Sequence, residues 1–440
     1  MKLNNKKGML KGIFGTKKKD FARFSNELYL ADKLYLDIND KRVHNLNEVI
    51  IGESGVGKTF RKIIPDVLQM VGSYVISDPR NEVYEYTHKA LKENGYDIKV
   101  LNILQYNPFK YINKETLATD ISSLIDCFIE NTSNKQEHEQ FWDNCMKDLL
   151  TAIVFYLVLE ENEEKNFKRV FDLVSKVSID EGTGEINESK TELERIFNKI
   201  RIEQPYHPGL QAYKDFKKTS GKTVKSILKS LTARLNIFIS SDMCAMTYGD
   251  EIELEKIGMG KIAIFLKTSD IYEYKKLNVL VSMFYTQLFK VLCYEADSKY
   301  NGRFPYLVSC EFDEFVNSGK IPNFDTYMAT ISKRNIRVAI TLQGVSQLKG
   351  LYKNWKRILN GCGIFNYMGL LGYETQEYLE YQIQEYIEGK FGIPKIKTNQ
   401  LNEFFNNEKN SIVLVRGMTP FFVKKIKTES YPIIKEVNVL

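Results

Sequence analysis

The octapeptide Gly52-Glu53-Ser54-Gly55-Val56-Gly57-Lys58-Thr59 matches G-x-x-x-x-G-K-[ST] at every fixed position. No other stretch restricts the fold so tightly, because its chemistry works only where a strand runs through a loop into a helix. There the glycines let successive backbone N–H groups curl around phosphates at the helix N-terminus. The flanks comply. Val49-Ile50-Ile51 is a β-branched run suited to a buried strand. Phe60, Ile63, Ile64, Val67 and Leu68 have helical spacing, which predicts a helix over 59–70. In this role residues Gly52 to Thr59 hold the nucleotide, Lys58 reaches its β- and γ-phosphates, and the Thr59 hydroxyl goes to Mg²⁺. The ligands implied are ATP and Mg²⁺. A second SGKT, at 220–223, fails the same test. Phe216 stands where the first glycine belongs, and YKDFKK at 213–218 is no buried strand. It reads as a helix start, with Val224, Ile227, Leu228 and Leu231 on one face.

A phosphate loop needs a carboxylate for its metal. FPYLVSCEFDE (304–314) ends an apolar run in Asp313-Glu314, although Glu311 interrupts the run. Asp313 at a strand end suits Mg²⁺, and Glu314 suits polarisation of the attacking water. A further strand, 336–342, leads into Gln343, which is placed to sense the γ-phosphate from the carboxyl end of a neighbouring strand. The alternative for Gln343 is a strand end bonded to its own loop.

Four more strand candidates, Ser73–Ile76, Ile98–Leu101, Lys261–Leu266 and Ser411–Val415, alternate with helical patterns. That favours an α/β fold with a mostly parallel sheet covered on both faces. Between 109 and 244 the helical runs 119–130, 140–159, 166–177, 190–202 and 223–238 dominate, with a polar loop or hairpin at 179–190. The expected division is a basic arm (1–24), a nucleotide-binding domain in two parts (25–108 and 245–440), and an all-α domain (109–244) inserted between them.

Charge matters in one place. Residues 1–24 carry Lys2, Lys6, Lys7, Lys11, Lys17, Lys18, Lys19 and Arg23 against Asp20 alone, so this arm outweighs the net +6 and the rest of the chain is close to neutral. It points to an anionic partner, nucleic acid or a lipid surface, unless it is a solvated tail. Scattered cysteines with no C-x-x-C pair and only four histidines argue against a zinc site and for reduced thiols. No signal-peptide pattern is read at the N-terminus. The longest apolar stretch, LLTAIVFYLVL (149–159), is shorter than the ~20 residues of a membrane span.

Taken in order, these landmarks resemble the TraG-type coupling ATPases of type IV secretion and conjugation. The likeness runs through Ile64-Pro65-Asp66-Val67-Leu68 after the loop, Ser77-Asp78-Pro79-Arg80-Asn81-Glu82 and Phe141-Trp142. It continues through EFDEFVNSGKIP (311–322), TLQGVSQLKGLY (341–352) and Gly369-Leu370-Leu371-Gly372 with Glu374-Thr375. Arg80-Asn81 departs from that family's Lys-Gly, and its usual N-terminal membrane anchor is not visible. The resemblance implies a RecA-like P-loop NTPase core and a homo-hexameric ring with nucleotide at subunit boundaries. It also implies recruitment of a relaxase–DNA complex and its delivery to type IV secretion channel proteins. The expected location is cytoplasmic, held peripherally at the membrane by the arm and Met9-Leu10 with Ile13-Phe14. A neighbour's arginine would complete the site, with Arg334 the candidate and a surface salt bridge its plain alternative. Two other functions fit the same loop: another hexameric DNA translocase (FtsK-like), and a nucleotide-binding cargo receptor with little turnover.

Overall fold

A computed structural model describes residues 26–39, 45–101, 104–133, 140–160, 162–180, 186–187, 189–219, 222–268, 275–369, 371–388 and 398–430. The basic arm lies outside the described residues. Eleven strands are described: β1 (Glu27–Ala31), β2 (Leu34–Asp37), β3 (Glu48–Ile51), β4 (Gly72–Ser77), β5 (Asp97–Leu101), β6 (Ile262–Leu266), β7 (Leu307–Phe312), β8 (Ile336–Leu342), β9 (Ile364–Tyr367), β10 (Asn410–Val415) and β11 (Phe421–Lys424). Nine form one sheet in the order β11-β10-β9-β3-β8-β7-β4-β6-β5. From β9 to β5 every pairing is parallel, while β10 runs antiparallel to both β9 and β11. β1 and β2 make a separate hairpin. It packs Leu28, Leu30 and Leu36 against Ile364, Val413 and Val415.

The central strands are buried along their whole length, as expected for a parallel sheet covered on both faces. Alternation sorts their side chains. Val49, Ile51, Val308, Cys310, Phe312, Val338, Ile340 and Leu342 enter the larger core. The residues between them face the helix that follows the phosphate loop. That is why Glu311 stands inside an apolar strand. With Glu48 of β3 and Arg337 of β8 it meets Lys62 and Asp66 of that helix in a fully buried charge network. Arg337 binds Glu48 at 2.6 Å and Asp66 at 2.9 Å, and also Glu311. Lys62 binds Glu48 at 3.0 Å and Asp66 at 2.7 Å.

Three carboxyls share two cations here, and Glu48 Oε1 and Glu311 Oε2 have no hydrogen-bond partner. Burial outweighs the pull of Lys62 and Arg337 and pushes the Asp66 carboxyl up to about 7. The folded chain therefore keeps a proton on Asp66 that the unfolded chain releases near its ordinary value of 3.8. Linkage then makes this group's contribution fall as pH rises through that window. The melting-temperature difference between wild type and Asp66→Asn is expected to shrink steadily as pH rises from about 4 to 7. A difference independent of pH would show that Asp66 does not hold the proton.

Between β5 and β6 the regular elements among the described residues are helices, apart from the isolated bridges Leu101–Leu104 and Ile179–Ile186. The main ones are Leu117–Thr132, Gln140–Leu159, Phe167–Ser175, Glu192–Glu203, Gly209–Lys217, Lys222–Leu235 and Ser241–Tyr248. Local chemistry starts them: Asn166 Oδ1 accepts from the Arg169 N–H at 2.8 Å and caps Phe167–Ser175. Val170, Leu173 and Val174 then line its buried face, each contributing about 1.5–3 kcal/mol relative to exposure. The segment 319–322 docks this helical unit on the core. Asn131, near the end of Leu117–Thr132, donates to the Lys320 carbonyl and accepts its N–H, at 2.8 and 2.7 Å. Gly319 has φ +75°, and a Cβ there would sit 2.7 Å from Asn131 Oδ1, so a side chain is excluded. Within the helix Lys275–Lys299, Leu277–Lys299 is long and apolar enough to cross a membrane, yet 67% of its most apolar window is buried inside the fold.

Candidate nucleotide site

Parallel strands put their carboxyl ends on one edge of the sheet, and the phosphate loop leaves from the carboxyl end of β3. The Gly52 N–H donates to the Leu342 carbonyl of β8, so the loop starts beside Gln343. Gly55 and Gly57 have φ of +80° and +88°, a region open to glycine at no steric cost. Lys58 Nζ donates to the carbonyls of Gly52 and Glu53 at 2.6 and 2.9 Å. Burial pulls its ammonium down, against Asp313 and Glu314, which push it up. Spacing predicted one regular helix over 59–70. Instead Thr59–Ile63 winds as a π-turn, with the Ile64 N–H reaching the Thr59 carbonyl, and an α-helix, Ile64–Leu68, follows.

Thr59 Oγ1 donates to Asp313 Oδ2 at 2.6 Å. Asp313 follows β7 directly and is tied by its N–H to the Ser77 carbonyl of β4. Burial raises its carboxyl above the usual range, while the hydrogen bond from Thr59 opposes the rise. Thr341 of β8, which the sequence reading gave no role, donates to Asp313 Oδ1 at 3.3 Å and accepts the Glu314 N–H at 2.7 Å. It thereby sets both acids. Glu314 stands at φ +53°, an uncommon conformation for a side chain this long, and its carboxylate is held from two sides. Asn317 Nδ2 donates to Oε2 at 2.8 Å, and Arg80 Nη2 lies 3.5 Å from Oε1. Arg80 comes from the turn after β4. Asn81 beside it has φ +62°, so asparagine keeps the left-handed turn that a glycine would supply. Asp78, in the same turn, accepts the Tyr84 N–H at 2.8 Å, and its buried Oδ1 has no partner. Burial pushes it up to about 6, with Asp313 adding to the rise.

Lys58, Thr59, Asp313, Glu314 and the exposed Gln343 thus meet at one edge. The Gln343 N–H donates to Gln347 Oε1 at 2.8 Å, which fixes the strand end. Arg334 is not brought there. It precedes β8, at the opposite end of the sheet, in a two-pronged ion pair with Asp297 at 2.9 and 2.6 Å. Of Glu374-Thr375, Thr375 Oγ1 accepts the Val345 N–H at the head of the helix Val345–Leu351, and Glu374 pairs with Lys349 at 2.9 Å.

The donor set fits Mg²⁺ with a polyphosphate. Thr59 and Asp313 present two adjacent hard oxygens, and the left-handed glycines shape a backbone cradle. Among the described residues no group of three or more His, Cys, Asp or Glu could hold a metal.

A family model described as type IV secretory system conjugative DNA transfer matches residues 1–387. The chain is 23% identical to protein VirD4 of Rhizobium radiobacter over 436 residues, and 22% identical to protein VirD4 of Agrobacterium fabrum over 425 residues. These alignments cover 91% and 88% of the chain, which spans 59% of the length of either relative. Among solved structures, the plasmid coupling protein TrwB in complex with ADP and Mg²⁺ is similar at 13% identity and TM-score 0.63, covering 93% of this chain and 90% of that one. VirB4 of Thermoanaerobacter pseudethanolicus is similar at 12% identity and TM-score 0.57, covering 93% and 98%. At these identities the structural likeness carries the fold.

Proposed function

This chain belongs to the type IV secretory system conjugative DNA-transfer family, and from that premise we propose that it is a coupling ATPase that drives a relaxase–DNA substrate into a secretion channel. The observation that carries the enzymatic half is the 2.6 Å contact between Thr59 and Asp313, which joins the phosphate loop to an acidic strand end 254 residues away. Lys58 leaves its loop carbonyls to neutralise the β- and γ-phosphates. Thr59 and Asp313 would hold Mg²⁺, which when bound would spread the charge that develops on the phosphates. Glu314 orients and polarises the attacking water, and Gln343 reads the γ-phosphate from the next strand end. In a homo-hexameric ring an arginine from the neighbour completes each site. Arg334 remains the candidate, and it must first give up Asp297.

The DNA half rests on the family, and its test is ionic. Turnover is expected to rise on adding DNA of any sequence. The apparent DNA affinity should fall on the order of 10³-fold between 50 and 200 mM salt if about six phosphates are neutralised. Steady-state ATPase assays across salt and DNA concentration read both. Absence of turnover with and without DNA would leave only a nucleotide-binding receptor, and a salt-insensitive affinity would remove phosphate contact as the basis of binding.

A further inference from the structure

The family match ends at residue 387, yet the chain returns to the phosphate loop after it. Beyond β11, Lys425 Nζ donates to the Val56 carbonyl at 2.7 Å, although Lys425 is only 4% exposed. Arg61, in the π-turn, donates to the Ile426 carbonyl at 3.4 Å and pairs with Glu429 at 3.2 Å. The fully buried Thr428 hydroxyl donates to the Phe60 carbonyl.

Each contact answers a local need. Carbonyl and N–H point opposite ways across a trans peptide. Holding the Val56 carbonyl toward Lys425 therefore turns the Gly57 N–H the other way, as a phosphate-binding loop requires. The Phe60 carbonyl has lost its helical donors: the Ile64 N–H goes to Thr59, and Pro65 has none to give. Thr428 fills that place and fixes the turn that carries Thr59. The seat is tight, since a Cβ on Gly369 would lie 2.9 Å from Val56 Cγ1 and 3.9 Å from Lys425 Nζ. Burial, then Arg61 and Lys58, pull the Lys425 ammonium down to about 8, with Glu408 opposing, so it still donates at neutral pH.

We propose that Lys425–Glu429 is a working part of the nucleotide site: a clamp, with Lys425 as its positioning residue, that holds the phosphate loop in its binding shape. This rests on the reading of the loop as a nucleotide site and adds a component from outside the family match.

The test is calorimetric titration of the full chain with Mg²⁺–ADP, alongside ATPase kinetics. Lys425→Met and Thr428→Val are each expected to weaken binding about tenfold, the scale of losing a hydrogen bond to a buried acceptor. The loss should fall on KM rather than kcat, and Lys425→Arg should regain most of the affinity. If Lys425→Met does not fold, Thr428→Val decides alone. Unchanged affinity in the variants, or a loss that Lys425→Arg does not repair, overturns the clamp and leaves the nucleotide site standing. A wild-type chain that binds no Mg²⁺–ADP overturns both.

Discussion

Replacing Glu314 by glutamine is expected to stop turnover while nucleotide stays bound, a loss in kcat on the order of 10²-fold or more if this carboxylate orients or activates the water. The substitution keeps the shape of the side chain and an oxygen for Asn317, which donates to Oε2 at 2.8 Å. It removes the charge that faces Arg80. Lys58, Thr59 and Asp313 are untouched, so binding should persist. Lys58→Ala should behave differently and lose affinity together with turnover, because Lys58 would meet the phosphates themselves. Equilibrium binding of a labelled nucleotide and single-turnover hydrolysis separate the two outcomes. Near-normal hydrolysis by Glu314→Gln would take that residue out of the mechanism and leave the Arg80–Asn317 grip as architecture.

Much of this site is legible in the linear sequence because its parts are local. A strand, eight loop residues and a helix start are contiguous, and Asp313-Glu314 directly follows an apolar strand. Parallel topology then brings the strand ends to one edge. What was not legible depends on partners far apart in the chain. Thr341 is an ordinary β-branched strand residue until β7 lies beside it. Its signal was that it is the one hydroxyl in an otherwise aliphatic strand end. Arg80 reads as a deviation in a turn until β4 and β7 pair and set it against Glu314. Lys425 lies 369 residues from the carbonyl it holds, and the short strand before it gave no pattern to follow. The hairpin β1–β2 and the strands β9 and β11 were not read, and although β10 was expected at Ser411–Val415, its antiparallel direction was not, because direction depends on which strands pair rather than on local alternation. The π-turn was hidden because Pro65 near a helix start is ordinarily favourable.

Glu311 shows how a blemish in a pattern becomes a constraint. It breaks the apolar run of β7 because that face meets charges instead of oil. Arg337 is the hub: it binds Glu48, Asp66 and Glu311, donates to Ser309 Oγ at 2.9 Å and to the Leu46 carbonyl at 3.2 Å. Arg337→Met is therefore expected to destabilise the fold by about 3–5 kcal/mol, because it leaves the buried carboxyls with Lys62 as their one cation. Urea unfolding would show this as a lower midpoint. The double variant Arg337→Met with Glu311→Gln should recover part of the loss, since the deficit is charge left unpaired rather than volume removed. A midpoint shift worth under about 1 kcal/mol, or no recovery, would mean that the network relaxes around the missing guanidinium. The position of the network gives it consequence for the chemistry. It fastens the helix behind the phosphate loop to β3, to β7, which leads into Asp313, and to β8, which carries Thr341 and leads into Gln343. A buried hub that sets those three strands against that helix also sets the 2.6 Å contact between Thr59 and Asp313. The destabilised variant should accordingly lose affinity for Mg²⁺–nucleotide even at temperatures where it remains folded.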